Sequence, residues 1–351
     1  MELRPRKNPP DDRVPVSPVL LARLTELGVD VDETARRAGL SAVQLEGAKL
    51  RLTTAEFFAF WRALDEVAKM RDLGLVLGSE ALDQGYSVAS TTALHAPNGE
   101  AALKTLARYK RLTCPEEVEL QIERGEASIR FHWMLAEAAV PRLLVDSSFA
   151  SFVELVRRGT GTHVVPRRIE LARRSSDARM LAEHFGCPIK FGAPYDRLVF
   201  DESVLALRFA THDALALTAV VPGLEAELAG KSKVRPFHRE LRVAIARHMA
   251  VERPTVAKIA RRLRISSRTL QRRLEEERTT YQAELDEVRH TTARRLLRNT
   301  DFDPVEVAFL LGFEEPNSFS RAFRGWEGTT PTQWRHATSH PASRAARRAP
   351  S

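Results

Sequence analysis

The strongest constraint on this chain is a repeat in its last third. Ile259, Ala260, Leu263 and Ile265 recur as Val307, Ala308, Leu311 and Phe313, 48 positions later. After one inserted loop residue, Arg268, Leu270, Arg272 and Leu274 recur as Asn317, Phe319, Arg321 and Phe323, now 49 positions later. Each copy reads as a short helix, a turn and a second helix. A small alanine at the crossing lets the second helix approach closely. Gly312 suits the left-handed residue that ends a helix. Ile265 and Phe313 plug the turns. Leu270 with Leu274, and Phe319 with Phe323, are i,i+4 apolar pairs that hold the second helix down. These features fit two helix-turn-helix units.

At 100° per residue, the opposite face of the second helix carries Arg268 and Arg272 in one copy. It carries Asn317 and Arg321 in the other, and Gln271 and Ser320 flank these faces. Arginine can bind guanine bidentately, Gln and Asn can bind adenine, and Ser reaches bases or phosphates. The helix N-terminus adds a dipole favourable to phosphate. Between the copies the pattern predicts a helix over 281–299. Its nineteen residues span about 28 Å, and successive major-groove faces lie about 34 Å apart. One linker of that length, with the elements at its ends, can place both second helices in successive grooves. An ordinary bundle with basic solvated faces is the competing interpretation. The charge balance weighs against it. Residues 231–351 hold 25 Lys+Arg against 14 Asp+Glu, or +11, whereas residues 1–230 hold 29 against 32, or −3. A basic domain beside a near-neutral one points to a polyanionic partner.

Length predicts two domains, at roughly 100–200 residues each for a chain of 351. No apolar run reaches the roughly 20 residues of a membrane span, and the polar, proline-rich start has no signal-peptide core. Cys114 and Cys187 are far apart and are expected as reduced thiols in a cytoplasmic protein. Residues 1–16 are expected to be a loose tail. Ser17 and Pro18 start a helix that Gly28 ends; others start near Thr53 or Thr54, at Asp72, and at Gly99. The period then changes to 2. Val118, Leu120 and Ile122 alternate with charged and polar residues, as do Ile129, Phe131 and Trp133, which predicts a hairpin with one buried face. A long helix over 143–158 and short strands over 168–172 and 198–200 follow. This is an α+β N-terminal domain with a small antiparallel or mixed sheet, followed by an all-α C-terminal domain with two helix-turn-helix units. The boundary is placed at the polar break Gly230–Lys233. The final residues, 341–351, are expected to form a basic disordered tail.

Residues 233–336 resemble the C-terminal DNA-binding domain of AraC/XylS-type transcription regulators. The stretch VAFLLGFEEPNSFSRAFRGWEGTTPTQWR, Val307 to Arg335, is similar to that family's signature of Ala, Gly-Phe, Phe-Ser-Arg-x-Phe and Gly-x-Thr-Pro. SSRTLQRRLEEE, from Ser266, resembles its first recognition helix; Arg278 stands where the first copy usually has Gly. The resemblance assigns base reading to Arg268, Gln271, Arg272, Asn317, Ser318 and Arg321, and Ser320 joins them from the helical wheel. Residues 17–215 resemble, less strongly, the arabinose-binding-like ligand domain of one subgroup. The cues are Leu73-Gly74-Leu75 with Leu77-Gly78, Pro97 to Tyr109, and Phe185 to Asp201. This is not the cupin-type arm of the arabinose regulator itself. The resemblance implies an effector-binding and dimerisation domain over 17–230 and a DNA-binding domain over 233–336. It implies double-stranded DNA and a small-molecule effector as partners, a homodimer, and RNA polymerase contact if the protein activates. No cofactor, metal or membrane partner is expected.

Sharper chemistry is poorly supported. His95, His132, His163 and His184 lack partners at metal-ligand spacing. No nucleophile elbow, P-loop or dinucleotide fingerprint occurs. Cys114 could be a methyl-acceptor thiol, as in repair proteins that share the DNA-binding fold, but Leu112-Thr113-Cys114-Pro115 lacks the Pro-Cys-His-Arg setting of such thiols. A repair enzyme and an effector-independent architectural binder remain the alternatives to an effector-modulated, non-enzymatic, sequence-specific regulator.

Overall fold

A computed structural model describes residues 13–41, 50–133, 136, 138–232, 237–249 and 252–339. They form two compact units. In the N-terminal unit, strand β1 (Val14–Pro15) pairs antiparallel with β2 (Arg51–Leu52). Val14 and Val16 are buried in the adjoining core. The expected loose tail therefore ends before residue 14, because apolar Val14 and Val16 gain burial by pairing; residues 1–12 lie outside the described residues. Helix α1 (Pro18–Glu26) starts at proline and ends before Gly28, whose φ of +76° closes the turn. Helix α2 (Val31–Arg37), capped by Asp30, follows. Thr53 and Glu56 form a reciprocal capping box on α3 (Thr54–Val67), which buries Phe57, Phe58, Phe60 and Trp61.

Helices α4 (Leu73–Ser79), α5 (Val88–Leu94) and α6 (Gly99–Tyr109) come next. Strands β3 (Glu116–Glu123) and β4 (Glu126–Trp133) pair from Glu123↔Glu126 to Glu116↔Trp133. Their two-residue turn, Arg124 and Gly125, has φ values of +52° and +76°, the primed geometry that matches strand twist. Helix α7 (Arg142–Thr160), β5 (Arg168–Leu171), α8 (Ala178–Phe185), β6 (Ile189–Phe191) and β7 (Arg197–Asp201) complete the sheet, in the order β3-β4-β7-β5-β6. The apolar face of the sheet packs on α7: Phe131 meets Phe149 and Phe152, and Phe152 meets Phe200, with centroids 6.0–6.3 Å apart.

Two expectations for this unit need correction. The β3–β4 hairpin buries parts of both faces. Glu117 is 7% and Arg130 6% exposed on the polar side, and Ile122 on the apolar side is 45% exposed. Carboxylates on that side are partnered by Arg130 and His132 across the hairpin and by arginines from other elements, so the polar side tolerates burial. His132 Nε2 lies 2.7 Å from Glu119, Arg168 holds Glu126 at 2.6 and 2.7 Å, and Arg111 pairs with Glu117. Residues 230–232, expected as part of a polar break, are helical, and Lys233 lies outside the described residues. Helix α9 (Ala214–Ser232) runs through Gly230, because a helix already propagating tolerates one glycine near its end.

From Phe237 on, the described residues form helices only: α10 (Phe237–Met249), α11 (Val256–Arg262), α12 (Ser267–Glu276), α13 (Tyr281–Asn299), α14 (Pro304–Leu310), α15 (Pro316–Glu327) and α16 (Pro331–Ser339). One core unites them. It contains Ile259, Ala260, Leu270 and Leu274 of the first copy and Val307, Ala308, Phe319 and Phe323 of the second. Leu285, Val288, Ala293, Leu296 and Leu297 of α13 lie between them in sequence and in the same core. The basic tail expected over 341–351 lies outside the described residues.

Candidate nucleic-acid interface

Each copy closes its first helix in the same way. Ile265 N–H donates to Ala260 O, and Phe313 N–H to Ala308 O, both at 3.0 Å. One residue earlier, Arg264 N–H donates to Arg261 O and Gly312 N–H to Phe309 O. These are Schellman closures, which place one residue in the left-handed region. Gly312 takes φ +71° without side-chain strain, and Arg264 takes φ +56° in the other copy. Arg278, the departure noted above, does the same at the end of α12: its φ is +56°, and Thr279 N–H donates to Leu274 O at 2.9 Å. The turn keeps its geometry without glycine.

The two second helices are then fixed by their buried pairs. Ser266 caps α12 by accepting from Thr269 N–H at 3.0 Å. Leu270 and Leu274 point inward, so Arg268, Gln271 and Arg272 are exposed. Arg272 bonds Glu276 one turn on, at 2.8 Å. On α15, Phe319 and Phe323 are buried, Asn317 and Arg321 are exposed, and Ser318 and Ser320 are half-buried at the edges of that face. Arg321 donates to Ser318 Oγ at 3.3 Å. Both faces thus carry exposed bidentate-capable side chains: Arg268, Gln271 and Arg272 on one, Asn317 and Arg321 on the other. The structure brings Asn317, Ser318 and Arg321 together on one surface, and Arg268, Gln271 and Arg272 on another.

Sequence reasoning overlooked the groups that hold these surfaces in place. Arg289 on α13 is buried and donates to the carbonyls of Leu311 (3.0 Å) and Gly312 (2.9 Å). Its guanidinium lies 4.1 Å from the Phe313 ring centroid. Burial draws its pKa below the ordinary arginine value. It satisfies carbonyls that end α14 and thereby ties the second turn to the linker. Glu327, at the end of α15, accepts from His290 (2.5 Å) and Trp334 Nε1 (2.8 Å). Burial pushes its carboxyl up, but His290 and Arg294 together hold it below the ordinary range. No periodicity marks these residues: Arg289 bonds backbone carbonyls, and Glu327 bonds His290, 37 residues away, and Trp334, seven residues on. Exposed Arg261, Arg264, Arg273, Arg278 and Arg324 add to the basic surface.

The N-terminal unit offers little to a nucleophilic mechanism. Burial, reinforced by Glu116, pushes the Cys114 thiol up to about 12, and burial pushes Cys187 up to about 11. Both are held as neutral thiols, the unreactive form. His132 is committed to Glu119. Among the described residues, no three His, Cys, Asp or Glu side chains converge on a metal-sized site, and no helix is long and apolar enough to cross a membrane.

Comparison with known proteins agrees with this geometry. Residues 28–209 match the family model for the arabinose-binding domain of AraC transcription regulators, and residues 259–337 match a helix-turn-helix domain model. The chain is 28% identical to the ornithine utilization regulator of Pseudomonas aeruginosa over 321 residues, 91% of this chain and 94% of that one. It is 25% identical to the regulator VirS of Mycobacterium tuberculosis over 273 residues, 75% and 78% of the two chains. Among solved structures it is similar to the transcriptional regulator CdpR of Pseudomonas aeruginosa, at 21% identity and a TM-score of 0.41, over 88% of this chain and 96% of that one. The N-terminal model alone covers more than half of the sequence, and the chain belongs to the AraC family of transcription regulators, with an arabinose-binding-like N-terminal domain and a helix-turn-helix DNA-binding region.

Proposed function

We propose that this regulator reads an asymmetric DNA site through two recognition helices held on one core. Arg268, Gln271 and Arg272 read one major-groove segment, and Asn317, Ser318, Ser320 and Arg321 read the next. The observation that carries this is the pair of exposed, non-identical faces on α12 and α15, each anchored by its own buried apolar pair. Uniform backbone binding would not need Gln271 or Asn317, which argues against a purely architectural binder. The neutral Cys114 thiol argues against the repair-enzyme alternative.

The N-terminal domain binds a small organic effector and forms a homodimer in the cytoplasm. Effector binding shifts the population of DNA-competent arrangements, and an activator would also meet RNA polymerase. The test is fluorescence anisotropy on DNA upstream of the protein's own gene, against a scrambled duplex, over a salt series. Preference that survives at physiological salt supports the reading. Equal and steeply salt-dependent binding to both duplexes, with and without effector candidates, would sink it.

A further inference from the structure

The two motifs share a backbone but carry opposite charge. Residues 256–278 contain eight Lys+Arg and three Asp+Glu, or +5. The equivalent stretch, 304–328, contains two and four, or −2. The contrast persists on the surface: seven arginines and two glutamates are exposed in the first motif, whereas the second exposes Arg321 and Arg324 against Glu306, Glu315 and Glu314, the last paired with Arg253. The sharpest difference falls at the mouths of the recognition helices. α12 is capped by Ser266, which bonds Thr269 N–H. Its counterpart in α15 is Glu315, whose carboxylate makes no capping bond and stands two residues before Asn317. In helix-turn-helix proteins the N-terminal residues of the second helix approach the bases. An exposed carboxylate there is repelled by generic phosphate. It is accommodated where an exocyclic amino group faces it, as at cytosine N4.

We propose that Glu315 is a specificity-determining residue. The first motif supplies the phosphate attraction, and Glu315 keeps the second motif off DNA that lacks an amino-bearing base at the matching position. This inference rests on the two-groove reading above. The experiment compares the full chain with its Glu315→Gln variant by anisotropy, on the upstream duplex and on the scrambled one, with the thermal midpoint of each protein recorded. The expected result is a scrambled-duplex affinity raised about 3- to 10-fold with a steeper salt slope, while affinity for the upstream duplex stays within about twofold.

An equal rise on both duplexes would reduce Glu315 to a net-charge effect and overturn the proposal. A lower thermal midpoint with unchanged discrimination would make it a helix-dipole residue only, and would also overturn it. Should the unmodified chain show no preference between duplexes, the two-groove reading itself falls and takes this inference with it. If it does discriminate and the variant discriminates equally well, this inference alone fails.

Discussion

Single side chains divide here into those proposed to read DNA and those that hold the fold. Replacing Arg272 or Arg321 by Ala removes an exposed guanidinium and nothing from the core. Each should cost about 1–3 kcal/mol of affinity at the preferred duplex, with an unfolding midpoint close to that of the parent. Anisotropy and thermal melts of the same samples check both halves. Arg289→Ala is the opposite case. It strips two carbonyls of a charged donor at the end of α14. The expected loss is about 2–3 kcal/mol of stability in the C-terminal unit, measured by urea unfolding followed through Trp326 and Trp334 fluorescence. The exposed positions of the residues proposed to read bases were legible in the sequence because the repeat fixes the buried positions and helical geometry then fixes the opposite face. Arg289 was not legible, since a side chain that bonds backbone carbonyls leaves no pattern in the residues around it. Arg264 and Arg278 were opaque for another reason: only glycine advertises a left-handed residue, and both arginines adopt that conformation because the Schellman bonds impose it.

Helices and strands were legible where their periodicity is strong. The hairpin, the long helix before β5 and the linker helix all fall near their expected bounds. α2, α5 and α8 are seven or eight residues long, too short to show a period. α9 has apolar residues all round, with Leu215 83% exposed, so no amphipathic stripe announces it. What fixes α9 instead is Glu225, which accepts from Arg108 and Tyr109 of α6, each at 2.5 Å. Hydrogen bonds from Arg108 and then Tyr109 hold its carboxyl down to about 2. An unfolded glutamate titrates near ~4.3. The folded state therefore favours the ionised form; the contribution is complete above about pH 5 and disappears as pH falls toward 2. Urea midpoints should drop less steeply over that window in Glu225→Gln than in the parent. Gly78 makes a packing prediction. A Cβ there would lie 2.4 Å from Ser147 O and 2.7 Å from Ala150 Cβ, so α4 meets α7 backbone to backbone. Gly78→Ala should destabilise the N-terminal unit by about 3 kcal/mol in chemical denaturation.

Across the whole chain, charge and core divide in the same place. Residues 1–230 contain one buried apolar core and residues 231–351 another, and the charge contrast between these two ranges could be read from the sequence. The burial of paired charges on the polar side of β3 and β4 could not, because it depends on partners such as Arg168 and Arg111 that come from other elements. Within the C-terminal unit, α13 is continuous from Tyr281 to Asn299 and contributes to the same core as both motifs. A stiff connector of fixed length demands a fixed helical phase on DNA. Inserting about five base pairs, half a turn, or a full turn between the two contacted segments should leave only a single-motif contact and weaken preferential binding in both cases. Gel-shift titrations on the two insertions check this.

On α12 and α15 the side chains that fill the core and those that face outward are disjoint sets. Leu270, Leu274, Phe319 and Phe323 can remain while everything on the far side changes. Such a scaffold separates heritable shape from heritable meaning. A lineage can rewrite which promoter it answers to, one exposed residue at a time, without passing through an unfolded ancestor.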